Sequence, residues 1–554
     1  MIKKISTAVF CLLLWTNLSN AQINRPYEPI VLTGDTLPQF SNYEVQYLYL
    51  YAYDANTDSW RMIPFQIDEV NPEVEDSLKY FIPEDSLRGV LDNDDELVFI
   101  LGDIDPGDKA DSTNWIDGAD SLRYEICLYD TLDDKQGYVY LYFSKSVTEP
   151  IPDVYAMNYD SLTDRVFSAN YEIGFNNTGQ LGDVIINSEI GGSGTDVFDR
   201  IKIRLFGIVK IIFPYPLPVN EDAIQAKSAY AKSGLVRIIR NLNARFYYKI
   251  GNSEFNLPLV QTSFFYPWSS SFSITGIPID DFQDYADIIY ARLSWDMNEN
   301  ASGMYFYSEF NRNGIMVDGL GDYEAVDFKM NSDDFNWTMI TGSQGTMLNI
   351  FFVPALGDSQ GIFYWDNSDD DNLTTGDPPD VQPYVVDTGD AIAYGDCGYF
   401  LYNNIIGEEF SFIYHNFFLP PGISPEFASQ LCNQARHPIQ YITKIQKYEP
   451  PSNILQVESS SKYKFELYQN YPNPFNSSTV ISFSLSERGK VSLIIYDILG
   501  KQIKTVVQEQ LSGGVHKYIW SGKNDQGESV PSGLYFYKLK VKDMVTTKKI
   551  LLVK

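Results

Sequence analysis

Tyrosine alternates with aliphatic residues in several long segments, and this alternation constrains the fold more than any other feature of the sequence. Residues 44–54 read EVQYLYLYAYD, and residues 137–145 read GYVYLYFSK. Successive side chains of a strand point to opposite faces, so a period of two predicts strands. Similar runs occupy residues 96–101, 124–130, 200–213, 244–250, 303–310, 347–353 and 409–419. The sequence therefore predicts an all-β fold with a large multi-sheet β-sandwich body.

Helical patterns are few. Residues 220–234, 280–293 and 424–436 are candidates, although residues 280–293 fit an irregular strand equally well. No repeat of 40 to 50 residues is present, which favours a sandwich over a propeller. The alternation pauses around PIPDV, where a turn is expected. We therefore predict an N-terminal β domain at 22–158 and a central β-sandwich domain at 159–448.

The C-terminal segment differs from the body in charge and pattern. The linker EPPSNILQVESSSK at 449–462 precedes it. Residues 462–554 contain 14 Lys+Arg against 7 Asp+Glu, whereas residues 22–461 contain 25 against 66. So acidic a body is expected to repel nucleic acid and anionic membrane surfaces. Short alternating strands separated by turn residues predict an immunoglobulin-like β-sandwich at 463–554.

The first 21 residues have the pattern of a signal peptide. Two lysines precede a short apolar run, which is too short to span a bilayer. Ser19 and Ala21 then place small residues at positions −3 and −1 of a cleavage site before Gln22. The sequence predicts export.

Four motifs of the tail occur in a set order: NYPNPFNSSTVISFSL, IYDILGKQIKTV, WSGKNDQGESVPSGLYFYKLKV and KKILLVK. In this order they resemble the C-terminal sorting domain of type IX secretion cargo. The residues that match its opening motif are Tyr471, Pro472, Asn473, Pro474 and Phe475. Those that match its last two strands are Gly533, Tyr535, Phe536, Lys548, Lys549 and Lys554.

This resemblance implies a route and partners. The chain would pass through the periplasm and then, by the type IX translocon, through the outer membrane. A sortase-like enzyme would remove the tail, and the body would be attached to surface glycolipid or released. A Bacteroidota-like source is also implied. The alternative is an immunoglobulin-like accessory module, such as the related hook-capping domain of flagella.

Catalytic motifs are scarce in the body. It holds two histidines, His415 and His437, and the stretch GGSGT lacks the final glycine of a nucleophile elbow. His415 lies in an alternating strand, which favours a packing role. Carboxylate pairs for glycoside hydrolysis are available anywhere in so acidic a chain. A lyase site could be built from arginines and tyrosines that also fit one face of a strand: Arg237, Arg240, Arg245, Tyr247 and Tyr248.

Two acidic loops are candidates for calcium, the only cofactor that the sequence suggests. The first places Asp92, Asp94 and Glu96 at alternate positions, and the second contains Asp369 and Asp371. Calcium takes six to eight oxygen ligands, which carboxylate-rich loops can supply. Neither loop matches the EF-hand template, and a solvated acidic loop is the alternative.

The triplet Asp-Ser/Thr followed by an aliphatic residue or Thr occurs seven times before residue 163. It resembles the O-glycosylation sequon of exported Bacteroidota proteins. Asp-Ser also commonly begins turns before strands, which is the alternative. The candidate acceptors are Thr36, Ser77, Ser86, Ser112, Ser121, Thr131 and Ser161.

The body holds three cysteines after the signal peptide. An exported protein permits a disulfide, and we expect Cys397 and Cys432 to form one. Cys127 alternates with apolar residues and is expected to be a buried thiol.

These features favour a non-enzymatic cell-surface or secreted protein that binds, adheres or forms structure. An extracellular glycan is a candidate ligand, because aromatic side chains stack on sugar rings. The alternative is a carbohydrate-active enzyme, either a glycoside hydrolase or a polysaccharide lyase, on a β-sandwich.

Overall fold

The computed structural model describes residues 23–448 and 465–552, apart from short internal segments. The segments left out are 73, 75–78, 82–88, 210–214, 251–252, 279–285, 321–324, 333, 354–358, 369–391, 403–408, 474, 477, 487, 498–500, 513 and 543. The chain divides into two compact units, Met1–Pro450 and Pro451–Lys554. The signal-peptide residues Ser19, Ala21 and Gln22 and the linker at 449–462 lie outside the described residues.

The described secondary structure is almost entirely antiparallel β. The strands of the body are β1 Pro29–Thr33, β2 Leu48–Asp54, β3 Ser59–Met62, β4 Gln66–Asp68, β5 Glu96–Ile100, β6 Leu122–Asp130, β7 Lys135–Phe143, β8 Asn158–Asp160, β9 Arg165–Phe167, β10 Tyr171–Phe175, β11 Leu181–Ile186, β12 Phe198–Val209, β13 Tyr215–Asn220, β14 Ile224–Ser233, β15 Ile238–Ile250, β16 Ser253–Tyr266, β17 Ser269–Pro278, β18 Ala286–Met297, β19 Tyr305–Ser308, β20 Ile315–Met316, β21 Asp334–Gly342, β22 Gly345–Val353, β23 Ser359–Asn367, β24 Ala393–Tyr402, β25 Glu409–Leu419 and β26 Gln440–Lys447. Those of the tail are β27 Glu466–Leu467, β28 Thr479–Leu485, β29 Gly489–Asp497, β30 Gln502–Leu511, β31 Gly514–Trp520, β32 Gly533–Val541 and β33 Met544–Leu552.

Helical structure is sparse in the described residues. One α-helix, α1, spans Pro425–Arg436, and Ser424 caps it by accepting the amide of Phe427. Short 3₁₀ turns occupy Gly34–Thr36, Pro38–Phe40, Val45–Tyr47, Leu101–Ile104, Ser188–Ile190, Glu221–Ala223 and Glu299–Ala301. No helix in this part of the chain has the length and apolar character needed to cross a bilayer.

The core of the body lies between two large sheets. One has the order β13-β12-β18-β24-β23, and the other has nine strands in the order β14-β15-β16-β17-β25-β22-β21-β19-β20. Aromatic rings join them: Trp295 lies 4.9 Å from Tyr414, and Phe351 lies 5.3 Å from Tyr399, between ring centroids. The prediction of an all-β sandwich is confirmed.

Smaller sheets complete the body. Their orders are β1-β5-β4, β11-β10-β9-β8 and β26-β6-β7-β2-β3. The last sheet includes β26, which lies inside the predicted central domain but pairs with β6 along its whole length. The predicted domains at 22–158 and 159–448 thus share a sheet and belong to one compact unit.

The helix predicted at 220–234 is wrong, and at 280–293 the strand alternative is confirmed from Ala286 onward. Residues 224–233 form the edge strand β14, which pairs with β15. Alanine and lysine favour helix there, but pairing with the long neighbouring strand decides the outcome. The segment at 280–293 forms strand β18 from Ala286 onward. The helix predicted at 424–436 is confirmed as α1.

Three hairpins share the pattern Tyr-Asp-x-x-x-Asp. They join β2 to β3, β6 to β7, and β8 to β9, and in each the tyrosine hydroxyl donates to the last aspartate. That aspartate has a positive φ of 51°, 55° and 46° at Asp58, Asp134 and Asp164. The first aspartate accepts the amide two residues later, which forms an Asx turn.

The C-terminal unit consists of two small sheets, β27-β28-β31 and β30-β29-β32-β33. Their apolar faces enclose one core that includes Phe475, Trp520 and Tyr537. This arrangement confirms the predicted small β-sandwich.

Candidate carbohydrate-binding groove

The outer face of the sheet that contains β2 and β7 is built from tyrosine. Leu48, Leu50 and Ala52 point into the apolar core of this region. The alternate positions of the two strands form a separate aromatic cluster of Tyr49, Tyr51, Tyr53, Tyr138, Tyr140 and Tyr142. The two predicted strands thus place six tyrosines on one face.

Residues 105–121 fold over this aromatic face, and Arg123 fixes them there. The Arg123 guanidinium donates to the carbonyl oxygens of Asn114 at 2.5 Å and Asp111 at 3.1 Å. It also donates to the Tyr142 hydroxyl at 2.7 Å and to Gln446 Oε1 at 2.6 Å. Its carbon Cζ lies 4.6 Å from the centre of the Trp115 ring, a cation–π distance. A single buried cation therefore holds the loop on the sheet.

Beside this loop lies an open groove of about 410 Å³. Trp60 and Trp115 flank Tyr142, with ring centroids 5.7 and 5.5 Å from it. Tyr51 lies 5.8 Å from the same ring. The residues that line the groove are Tyr51, Trp60, Trp115, Ile116, Asp117, Val147, Thr148 and Glu149.

Two exposed carboxylates, Asp117 and Glu149, give the groove a negative rim. Burial, with a further contribution from Glu149, raises the pKa of Tyr51 to about 12. The Tyr51 hydroxyl therefore stays protonated and can donate at neutral pH. Flat aromatic faces beside hydroxyl and carboxylate groups suit a neutral sugar, whose ring stacks while its hydroxyls form hydrogen bonds.

The first predicted calcium loop is organised differently from the prediction. Asp92 accepts the amide of Asp94 at 2.9 Å, and Glu96 accepts from Arg237 at 2.5 Å. Asp95, which the prediction did not include, is buried and accepts the amides of Val70 and Asp92. Burial raises the pKa of Asp95 to about 6. Asp92, Asp94 and Glu96 thus do not converge on one ion.

In the described ranges, no group of three His, Cys, Asp or Glu side chains could hold a metal ion. The second predicted calcium loop, with Asp369 and Asp371, lies outside those ranges.

The three arginines of the hypothetical lyase site bind different partners in different places. Arg237 is buried against Asp68 and Glu96, whereas Arg240 pairs with Asp164 at 2.6 Å. Arg245 donates to Gln225 and lies over the Tyr247 ring. The three guanidinium groups do not form one site.

A second groove, of about 270 Å³, is lined by four carboxylates. Three of them pair with arginines: Asp183 with Arg165, Asp199 with Arg200, and Glu221 with Arg204. Arginine side chains thus occupy three of the four carboxylates that line this groove.

The expected disulfide between Cys397 and Cys432 is wrong, since both residues are buried free thiols. Cys397 faces the central core and contacts Thr338. Cys432 lies on α1, in the apolar layer that packs on Trp337. Thr338 and Trp337 are successive residues of β21, so the two thiols lie on opposite faces of the nine-stranded sheet.

The predicted glycosylation acceptors are mostly surface residues. Thr36 is half-buried, and Ser77 and Ser86 lie outside the described residues. The exposed acceptors, all in loops or turns, are Ser112, Ser121, Thr131 and Ser161. At Asp130 and Asp160 the turn interpretation is confirmed, because each carboxylate accepts the amide two residues later. Glycosylation itself stays a prediction.

His415 occupies a packing position, as the sequence indicates. Its half-buried ring stacks on Phe335 with centroids 6.4 Å apart, and burial lowers its pKa to about 4. His437 is exposed and contacts the carbonyl of Asn433.

A histidine with a depressed folded-state pKa makes stability depend on pH. The unfolded chain binds the proton below about pH 6.5, but the folded chain resists it until about pH 4. Protonation of His415 therefore costs no stability above about pH 6.5 and lowers the free energy of unfolding progressively as the pH falls toward 4. Because the ring is partly exposed, we expect His415→Phe to remove about 1–2 kcal/mol of this loss.

Urea unfolding of wild type and His415→Phe between pH 7 and 4 tests this expectation. His437→Phe is the matched control and should keep the wild-type slope. Equal pH slopes for wild type and His415→Phe would contradict it.

In the tail, the opening motif lies along the last strand. The Phe475 amide donates to the Leu551 carbonyl at 3.0 Å, and Asn473 Oδ1 accepts the Leu551 amide at 2.8 Å. The carbonyl of Pro472 accepts the Thr479 hydroxyl. The Phe475 side chain is 2% exposed and lies 5.4 Å from the Trp520 ring, whereas Tyr471 is 65% exposed.

The remaining motif residues lie on β32 and β33. Gly533 begins β32, Tyr535 is buried, and Phe536 is half-buried. Lys548 is half-buried and Lys549 exposed on β33. Pro474 and Lys554 lie outside the described residues.

A model of the FlgD Ig-like domain family matches residues 473–544. The C-terminal unit has an immunoglobulin-like domain. This match establishes the predicted fold of the tail, and its role in sorting stays a prediction. No curated protein matches the chain.

Among solved structures, the chain is similar to a glycosyl hydrolase family 38 protein from Enterococcus faecalis, with 8% identity over 89% of this chain and 56% of that one, at a TM-score of 0.36. An α-mannosidase from E. faecalis V583 gives 9% identity, 73% and 49% coverage, and a TM-score of 0.28. Dimeric latent PorU from Porphyromonas gingivalis is 10% identical over 86% of this chain and 36% of that one, with a TM-score of 0.15. The chain spans about half the length of the first two structures. At such TM-scores these likenesses carry no argument about function.

Proposed function

We propose that this protein is exported to the cell surface or the medium, where its body binds a neutral carbohydrate in the groove beside Trp60 and Trp115. The observation that carries the proposal is the groove itself, which brings the half-buried rings of Trp60 and Trp115 beside two exposed rim carboxylates. A sugar ring can stack on indole, and carboxylates accept its hydroxyl groups. Anionic polysaccharides would be repelled by Asp117 and Glu149 and by the acidic body.

Binding is tested with soluble neutral polysaccharides, such as glucan, mannan and galactan, by affinity electrophoresis and calorimetry. We expect Trp115→Ala to weaken binding at least tenfold, about 1.4 kcal/mol, because it removes one stacking face. The double variant Asp117→Asn, Glu149→Gln keeps the shape and should weaken binding about fivefold. Tyr230→Ala, at an aromatic residue that is 53% exposed on β14 and does not line the groove, should bind as wild type does.

Failure of every neutral polysaccharide to bind would refute the carbohydrate proposal. Equal binding by wild type and both groove variants would place the site elsewhere. Release of reducing sugar during the same incubations would instead support the enzymatic alternative.

The tail is proposed to direct export by the type IX route, with the translocon and a sortase-like enzyme as partners. Support comes from the resemblance of its motifs and from the packing of the opening motif on β33. Exposed lysines on β32 and β33, namely Lys538, Lys540 and Lys549, give this unit a basic surface that such machinery could bind.

We expect Phe475→Ala to destabilise the tail by about 3 kcal/mol, because the ring is buried against Trp520. Tyr471→Ala changes an exposed neighbour and should cost under about 1 kcal/mol. Thermal unfolding measures both effects.

Export is measured by fusing residues 463–554 to a reporter in a bacterium with a type IX system. Wild-type fusions should reach the surface, and Phe475→Ala fusions should stay in the periplasm. Periplasmic retention of a folded wild-type fusion would favour the accessory-module alternative.

A further inference from the structure

The five-stranded sheet of the body has two buried faces of different character. Its inner face carries Trp295 and the central core. Its other face carries four buried charges: Lys202, Arg292, Asp296 and Asp396, each at most 2% exposed. Burying charges costs free energy unless they are paired, so this cluster needs an explanation.

Lys202 and Asp296 are in direct contact. Lys202 lies on β12 opposite Ser294 of β18, so Asp296 is two positions along on the same face. Lys202 Nζ lies 2.8 Å from Asp296 Oδ2 and donates to the Ile392 carbonyl at 3.0 Å. Among the described residues, Asp296 Oδ1 has no hydrogen-bond partner.

A second carboxylate lies beside this pair. The last paired residues of the antiparallel strands β18 and β24 are Trp295 and Cys397. Asp296 and Asp396 come directly after this pair, one on each strand, and therefore lie opposite each other. Asp396 Oδ2 lies 3.8 Å from an Arg292 nitrogen, and the Arg292 guanidinium stacks 4.1 Å above the Phe363 ring. Asp396 Oδ1 also has no hydrogen-bond partner within the described ranges.

The surroundings favour neutral groups at the Lys202–Asp296 pair. Burial raises the pKa of Asp296 well above its usual range; Lys202 opposes this shift and Asp396 adds to it. Proton transfer from ammonium to carboxylate removes two charges from a low-dielectric site. It also yields an amine, which is nucleophilic, and a carboxylic acid, which can be attacked.

We propose that Lys202 and Asp296 condense into an intramolecular isopeptide bond between β12 and β18. Lys202 Nζ attacks Asp296 Cγ, a C–N bond forms, and the C–OH bond breaks. The Asp396 carboxylate takes a proton from the attacking nitrogen and returns it to the departing hydroxyl, which leaves as water. No oxidant or cofactor is consumed, and Arg292 and Asp396 remain as a balanced pair.

This pair is distinctive within the described part of the chain. Some other buried carboxylates there pair with arginine, as Asp68 does with Arg237 and Glu221 with Arg204, and others accept backbone amides, as Asp95 does. A guanidinium is always protonated and is a poor nucleophile. Among the residues that the structure describes, Lys202 is the one buried lysine; lysines in other ion pairs are more exposed, as Lys135 is at 26% and Lys249 at 55%.

Peptide mapping of the purified full chain tests the proposal. Loss of one water lowers the mass by about 18 Da, so digestion should yield the Lys202 peptide joined to the Asp296 peptide at that deficit. Lys202→Arg keeps the cation and should yield only linear peptides. Its chain should also run more slowly than wild type on a denaturing gel, because the cross-linked chain stays more compact.

The proposal is overturned if wild-type chain with a native circular dichroism spectrum yields only linear, unmodified Lys202 and Asp296 peptides. Asp396→Asn keeps the shape of the site and separates the two parts of the mechanism. We expect it to fold but to accumulate the uncrosslinked chain. Full cross-linking in folded Asp396→Asn would refute the proton relay through Asp396.

Discussion

Arg237→Met is expected to lower the free energy of unfolding of the body by about 3–5 kcal/mol. The Arg237 guanidinium lies 2.7 Å from Asp68 Oδ2 and 2.5 Å from Glu96 Oε2, and all three side chains are largely buried. Methionine fills similar space but leaves both carboxylates without this partner. Lys232, 3.4 Å from Asp68 and partly exposed, compensates only in part.

The measurement is urea unfolding followed by tryptophan fluorescence at pH 7, with the unfolding midpoint and slope of the variant compared with those of wild type.

Arg245→Met is the matched control. It removes an arginine from β15, the strand that Arg237 directly precedes, but one that is half-buried and donates to Gln225 rather than to a carboxylate. We expect a loss below about 1 kcal/mol. Equal losses in the two variants would contradict the assigned role of Arg237.

Arg123→Met is expected to cost about 3 kcal/mol and to abolish carbohydrate binding. Arg123 donates to two loop carbonyls, to a tyrosine hydroxyl and to Gln446. The variant removes this donor from one buried and three part-buried acceptors and removes the cation beneath Trp115. The loop at 105–121 should then detach from the tyrosine face, and the groove loses one wall.

Hydrogen exchange reports the two effects separately. Amides at 110–121 should exchange faster in Arg123→Met, while β12 and β18 keep their protection. Lys109→Met is the control, since this exposed lysine lies beside the same face, 5.1 Å from the Tyr138 ring centre. Retained binding with unchanged exchange at 110–121 would show that Arg123 does not hold the loop.

Local patterns in the sequence predicted much of this structure because they reflect the period of a strand. The tyrosine runs identified the strands β2 and β7, although not the face on which their six tyrosines cluster. The helical pattern at 424–436 identified α1. The composition change at 449–462 identified the boundary between the two compact units.

What the sequence did not predict depends on contacts between distant residues. Arg123 meets the loop carbonyls only after residues 105–121 fold back over the sheet. Arg237 and Arg240 are three residues apart, yet their partners, Asp68 and Asp164, lie in different sheets. One local signal was available and unused, since the repeated Tyr-Asp-x-x-x-Asp pattern could have located three hairpins.

The pairing of β26 with β6 has a consequence for the order of folding. Arg123 and Gln446, which meet across this pair, are 323 residues apart in the chain. Closing so long a loop is entropically costly and slow, so this contact is expected to form late. Until residues 440–447 arrive, β6 presents an open edge that could pair with another chain. A fragment that ends near residue 158 would keep that edge indefinitely and should aggregate, however native its own strands are.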